Sequence, residues 1–334
     1  MPPRRSSLAL PLLPAALLLG CAASHPPPPA LETRWQSPLH RDHPLVGRIW
    51  DVQAARYVPE GDLVAAVERA RFVLLGETHD NPDDHALQAR LVRALISSGR
   101  RPALAFEMLD TDEQGTVDAV LRGPEPTAAA LGGAVGWDRS GWPPFALYQP
   151  IFQAGLDAHL PIVAANLSRR GAREVIHHGA RALPPVLQEL LNRAGSLSAE
   201  EARARAEEME ALHCGQLPED LLAPMVLSQR ARDAQLAWAV RSGATAQGGA
   251  VLITGAEHAR RDRGAASFLF VAGIPPAQVA SVAFREVDPE ALTPADYDLS
   301  PFDLVVFTPA AQRGDPCEEM RPPPTPPTTV ANGG

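Results

Sequence analysis

Phe72-Val-Leu-Leu-Gly-Glu-Thr-His79 and Val251-Leu-Ile-Thr-Gly-Ala-Glu-His258 follow one pattern, an apolar run into Gly-x-x-His. A short aliphatic run closed by glycine reads as a buried strand ending in a turn. Each strand then carries a glutamate and a histidine to its carboxyl end, the edge of an open α/β sheet where ligands bind. The two stretches are far apart in the chain, so a site between them is built by tertiary structure.

Working outward, comparable apolar runs lie at residues 103–106, 161–165, 279–284 and 304–307. Helical periodicity fills the gaps. Residues 83–96 put Leu87, Leu91, Ala94 and Leu95 on one face, started by Pro82-Asp83-Asp84. Residues 110–121, 145–159 and 169–178 behave alike. Strands alternating with helices of this length predict an α/β fold, a largely parallel sheet flanked by helices. Residues 185–242 read as a helical insertion before the strand leading to His258. It holds one long charged helix over 187–211, a break at His213-Cys-Gly-Gln-Leu-Pro218, and a second helix from Pro224.

The ends of the chain read differently. Arg4 and Arg5 precede an apolar run over 8–19 and then Leu18-Leu-Gly-Cys21, the arrangement of a secretory signal. Leu-Leu-Gly-Cys resembles a bacterial lipobox, which implies cleavage after residue 20 and a lipid anchor at Cys21. Ala22 follows, with no aspartate of the kind linked to inner-membrane retention, so an outer-membrane lipoprotein is expected. Residues 21–44 form a proline-rich tether, 45–315 a single α/β domain, and 316–334 a tail expected to be disordered.

Formal charge is −9, with 30 basic and 39 acidic residues. Without Arg4 and Arg5 the balance is 28 against 39, or −11. An acidic chain lacking a dense basic patch argues against nucleic acid as a partner. Cys214 and Cys317 would meet an oxidising compartment and could pair. Neither begins Cys-x-x-Cys-His, so covalent haem attachment is excluded.

The strand ends collect Glu77, His79 and Asp80; Glu107 and Met108; Asn166; and Glu257 with His258. Polar groups there need water, a partner or a ligand. Two histidines and a carboxylate suit zinc or manganese, with an open position for an activated water. The same set without metal is a Glu/His acid–base pair. Glu77 and His79 could instead cap the helix starting near Asp83, and Asp80-Asn-Pro-Asp-Asp84 reads as turn and cap. The zinc-helix pattern His-Glu-x-x-His is absent. A second patch, Trp137-Asp-Arg-Ser-Gly-Trp-Pro-Pro-Phe-Ala-Leu-Tyr148, concentrates aromatics in a chain with few. It reads as core packing at Trp137 and Phe145, or as a flat wall for a planar ligand with Tyr148 as polar handle.

Several motifs together resemble the ChaN-type haem-binding lipoproteins of the Tiki/TraB/erythromycin-esterase-like superfamily. They are Leu75-Gly-Glu-Thr-His-Asp-Asn-Pro82, Phe106-Glu-Met108, the aromatic run from Trp142 to Pro150, His213-Cys-Gly215, Gln229-Arg-Ala-Arg-Asp233 and Gly255-Ala-Glu-His-Ala-Arg-Arg-Asp-Arg-Gly264. The resemblance spans about residues 45–285. It implies a lipoprotein of iron uptake that binds haem noncovalently, two haems stacking face to face across a homodimer. It also implies a tyrosine ligand with histidine support: Tyr148 is the candidate, Tyr57 the rival, and Tyr297 falls outside the resemblance. His79 and His258 would assist, ordered by Glu77 and Glu107. Where the family often has Gly-Asn-Gly-His, Glu257 is expected to add negative charge at the site mouth. The wider superfamily implies an alternative: a metal-dependent or Glu/His hydrolase using Glu77, His79, Glu107 and His258.

Overall fold

Strands β1 (Ile49–Asp51), β2 (Arg56–Val58), β3 (Phe72–Glu77), β4 (Ala103–Asp110), β5 (Ile162–Asn166), β6 (Ala250–Gly255), β7 (Val279–Glu286) and β8 (Leu304–Thr308) form one sheet in the order β2-β1-β8-β7-β3-β6-β4-β5. The computed structural model describes residues 27–319; the signal, Cys21 and residues 320–334 lie outside them. From β8 to β5 every pairing is parallel. Among the described strands the antiparallel pairings are those of β1, with β2 and with β8, so β1 and β2 form an edge hairpin on β8. The expected α/β class is therefore observed, as a mixed and mostly parallel sheet.

The six longer strands follow the apolar runs because both of their faces are covered, and strands buried on both sides carry continuous rather than alternating hydrophobic sequence. On one face lie α1 (Glu60–Arg69), α2 (Pro82–Ser97), α3 (Gln114–Leu121), α4 (Ala128–Ala134) and α5 (Phe145–Asp157). Val73, Leu75, Val251 and Ile253 of the central strands join their core, with Leu91 and Leu95 of α2 and Phe152 of α5. On the other face lie α6 (Arg169–His178), α7 (Pro185–Ala194), the long α9 (Glu219–Gly243) and α11 (Ala265–Val271), packed on Phe72, Leu74 and Leu252. Each fully buried Leu or Phe in these layers contributes about 1.5–3 kcal/mol relative to exposure.

The stretch expected as one charged helix is two. Gly195 adopts φ +76 at the end of α7, and α8 (Ala199–Leu212) starts afresh at Ser198, whose hydroxyl caps Glu201 while the Glu201 carboxylate caps Ser198. A left-handed glycine followed by this reciprocal cap is a strong stop and restart. Helix α8 buries only Met209 and lies on α9, outside both cores.

Strand β3 is followed by α2 on one face, whereas its neighbour β6 is followed by α10 (Ala256–Ala259) and α11 on the other. A crevice therefore opens between the carboxyl ends of β3 and β6, the switch point where α/β sheets bind ligands.

Candidate functional site

The two Gly-x-x-His strands are direct neighbours, but one residue out of step. Gly76 pairs with Thr254 and Glu77 with Gly255. Matching positions of the two motifs thus face opposite sides of the sheet, since strand side chains alternate; Phe72 joins one core and its counterpart Val251 the other. Each glycine makes room for the other motif. A Cβ on Gly76 would lie 2.8 Å from Ala256 Cα and Ala259 Cβ, in the helical turn that carries His258. A Cβ on Gly255 would lie 3.0 Å from Cε1 and 3.1 Å from Nε2 of His79. These glycines serve close approach, with β3 continuing through Gly76 to Glu77.

Glu107 is brought in by an irregularity. The β4–β5 register shifts between Phe106 and Asp110, and such bulges re-aim side chains beside functional sites. Its Oε2 accepts from Thr254 Oγ1 at 2.6 Å and from the Gly255 amide at 2.8 Å. His258 Nε2 lies 3.5 Å from Glu107 Oε1, and its Nδ1 lies 2.7 Å from Asp233 Oδ1 of α9. His79 Nδ1 lies 2.7 Å from Glu77 Oε1. Among the described residues, His79 Nε2 and the buried Glu77 Oε2 have no hydrogen-bond partner.

These pairs set the protonation. Burial pulls the His79 imidazole down, but Glu77 outweighs it and pushes the group up to about 9. His258 is likewise lowered by burial and raised by Glu107 and Asp233, ending at about 9. Burial raises Glu107, while the His258 and His79 charges and its two donors bring it down to about 2. Burial pushes Asp233 up against the pull of His258. At neutral pH the imidazoles hold the protons and Glu107 is ionised. The four expected side chains are paired with one another, and among the described residues no group of three or more acids, histidines or cysteines is arranged around a metal position.

Helix capping does not explain Glu77 and His79. The first amides of α2 are satisfied by Asn81 Oδ1, at 2.9 Å from Asp83 N and 3.3 Å from Asp84 N. Asp84 accepts from Thr78 N and Thr308 Oγ1, and Asp80 makes a two-pronged pair with Arg313. The Asp80–Asp84 stretch is thus turn, cap and clasp.

The tyrosines differ most from expectation. Tyr148 is fully buried, and its hydroxyl donates to the His79 carbonyl at 3.2 Å. Burial raises its phenol well above the usual range, with Glu77 and Glu107 adding to the effect, so the deprotonated ligand form is disfavoured. His85, tilted against Tyr148 at 4.1 Å, meets the same carbonyl through Nε2 at 2.9 Å. Tyr148 and His85 hold the His79 backbone from behind. Tyr57 sits on the edge strand β2 against Trp50. Tyr297 uses its hydroxyl on Asp288 and Ala291. The aromatic beside the site is Trp142, edge-on to His79 at 4.9 Å, while Trp137 packs in the core.

Above the strand ends lies a half-open cavity of about 240 Å3. His79 and His258 are its floor; α8 supplies Arg205, Glu208, Met209 and Leu212, and α9 supplies Val226, Gln229 and Asp233. Among the described residues no tyrosine lines it. The α8 residues fall at i, i+3, i+4 and i+7, one helical stripe, so α8 is a lid over the site. Its far end is fastened by a disulfide between Cys214, in the α8–α9 turn, and Cys317 in the short α12 (Pro316–Glu319). Glu257 lies at the mouth as expected, but pairs with Arg263 and Arg260, so its charge is balanced. Asp233, noted only as the end of the Gln229–Asp233 motif, and His85 were given no site role by the sequence reading: each lies inside a helix, away from any strand end.

Paired imidazoles and carboxylates at the switch point of a mostly parallel sheet, under a helical lid, define an α/β ligand-binding site. Residues 63–269 match the family described as haem-binding uptake, Tiki superfamily, ChaN, and the chain belongs to that family. It is similar in fold to a solved structure described as cofacial haem binding to ChaN of Campylobacter jejuni. That likeness has TM-score 0.62 and 21% identity, covering 77% of this chain and 95% of that one. Looser likenesses are an erythromycin esterase, EreC, at TM-score 0.40 and 17% identity over 78% of this chain and 81% of that one, and the type III effector HopBA1 at 0.40 and 12% over 74% and 91%. No curated protein matches the sequence at a significant level.

Proposed function

We propose that this protein is an exported lipoprotein, held at the outer membrane through Cys21, that binds haem noncovalently as cargo for iron uptake. The observation that carries the reading is His79: its side chain is 38% exposed, its Nε2 is unpartnered among the described residues, and Trp142 stands beside it. An imidazole fixed at Nδ1 by a carboxylate and open at Nε2 is the usual arrangement of a metal-ligating histidine; His79 is protonated at neutral pH, so its Nε2 proton is released when iron binds. In this reading His79 is the side chain that reaches haem iron, with Tyr148 acting behind it through the His79 backbone. Glu77 orients His79; Glu107 and Asp233 orient His258 at the cavity floor.

The cavity supports a pairwise mode of binding. At about 240 Å3 it falls below the ~300–1,000 Å3 of pockets that enclose a small-molecule ligand. A planar macrocycle would enter by an edge and leave one face uncovered, and a second copy presenting its own haem would cover that face. Membership of the ChaN family supports the same arrangement. The test is a haemin titration followed by absorbance and by molecular mass in solution. The reading predicts a saturable Soret shift with dimer formation; linear, unsaturable absorbance and a constant monomer mass would contradict it.

A second reading rests on the Asp233–His258–Glu107 chain at the same cavity. Among the described residues no Ser, Thr or Cys lines that cavity, so a hydrolase here would use water as nucleophile. His258, protonated at neutral pH, suits the proton donor, and ionised Glu107 the base. Turnover of an ester or peptide that Glu107→Gln abolishes, with haem binding intact, would favour this reading.

A further inference from the structure

Among the described residues, the cavity holds a positive charge that no hydrogen bond or ion pair answers. Arg260 pairs with Asp262, Glu257 and Asp298; Arg263 grips Glu208 at 2.8 and 2.9 Å and Glu257 as well. Arg232 donates to Asn166 and Arg230 to the Gly195 carbonyl. Arg205 differs. It lines the cavity from the lid, it is half-buried, and among the described residues it has neither an ion pair nor a hydrogen bond. Burial and the nearby Arg263 charge pull its guanidinium down from its ordinary value; Asp233, Glu201 and Asp262 pull the other way, but none forms an ion pair with it among the described residues. A guanidinium costs most when desolvated without a partner, and its planar fork fits a carboxylate. Across the same cavity Gln229 has Oε1 buried without a partner, and an amide can turn either its oxygen or its nitrogen inward.

We propose that Arg205, carried on the lid helix α8, is the anchor for a carboxylate of the ligand that occupies this cavity. This rests on the haem reading in so far as the carboxylate is a haem propionate; the subsite itself selects an acidic ligand. It also gives the lid a role. A ligand carboxylate on Arg205 ties α8 to the cavity floor at His79 and His258, so charge recognition and cover come from one residue. Glu208, three residues on, is occupied by Arg263 and does not compete for Arg205.

The test compares haemin with its dimethyl ester, in which both carboxylates are blocked, on the full-length protein and on Arg205→Gln and Arg205→Lys. Loss of a charge-assisted contact predicts haemin binding about 10–100-fold weaker in Arg205→Gln, with the Soret position and the ester affinity unchanged. Arg205→Lys restores part of the difference. Equal weakening of haemin and ester would assign Arg205 a structural role and overturn the proposal, as would no weakening of either. A second arm keeps the subsite testable apart from haem. Octanoate is titrated while the Arg205 side-chain Nε–H signal is followed by NMR, assigned by its absence in Arg205→Gln. A saturable shift with no haemin binding would keep the carboxylate subsite and reject the haem reading. No saturable shift, together with equal affinity for haemin and its ester or binding of neither, would reject the subsite.

Discussion

His79 and His258 close two motifs of nearly the same sequence, and the fold makes them different. His79 takes its carboxylate from its own strand and keeps 38% of its side chain in solvent. His258 takes Asp233 from a helix and faces Glu107 with its other nitrogen, at 16% exposure. One imidazole is half-fixed and open; the other is held at both nitrogens. The cause is the one-residue offset between β3 and β6, which sets equivalent motif positions on opposite faces. Similar sequence set similar side chains at the strand ends, and register decided which histidine keeps an open nitrogen.

The comparison is broken most easily through the carboxylate partners. Asp233→Ala takes from the buried His258 imidazolium its closest partner, leaving only Glu107 at 3.5 Å, and should cost about 3–5 kcal/mol. Glu77→Ala should cost less, because water reaches His79. Urea denaturation of both variants checks this, and equal costs would remove the asymmetry.

The pH dependence sharpens it. Both histidines rise from 6.5 to about 9 on folding. Their contribution is complete below about pH 6.5 and is lost as pH rises through 9. Thermal stability should therefore fall across that window, and His258→Gln should flatten the fall more than His79→Gln. Glu107 moves from 4.5 to about 2, so its contribution is present above pH 4.5 and lost as pH falls towards 2.

A smaller effect separates ligand from support. Tyr148→Phe removes one hydrogen bond to the His79 carbonyl, worth about 0.5–1.5 kcal/mol. It should leave the Soret maximum of a haem complex in place, whereas loss or displacement of that band would return Tyr148 to the iron.

The sheet was legible where strands are buried on both faces. Runs at 72–75, 251–254 and 304–307 stand out because continuous apolar sequence has few other readings, and they match β3, β6 and β8. Strands β1 and β2 were not legible. They have three residues each, alternate only briefly, and take their pairing from β8. Glu77, His79, Glu107 and His258, which the structure brings together, could be singled out because strand ends announce themselves by composition. Asp233 was not, since a lone acid within α9 looks like a solvated helix position until tertiary packing sets it on His258. Tyr148 misled because an aromatic cluster signals core and ligand wall alike; here its ring is core, and the half-buried Trp142 is the member that stands beside His79.

The most direct measurement is haemin affinity of His79→Ala and His258→Ala side by side, with unfolding curves to show that each is folded. The account predicts that His79→Ala loses the characteristic Soret band and at least about tenfold in affinity, the loss of one interaction worth about 1.4 kcal/mol. His258→Ala should keep the band with a smaller loss. Equal losses, or an intact band in His79→Ala, would contradict the assignment of His79 as the open, ligand-facing histidine.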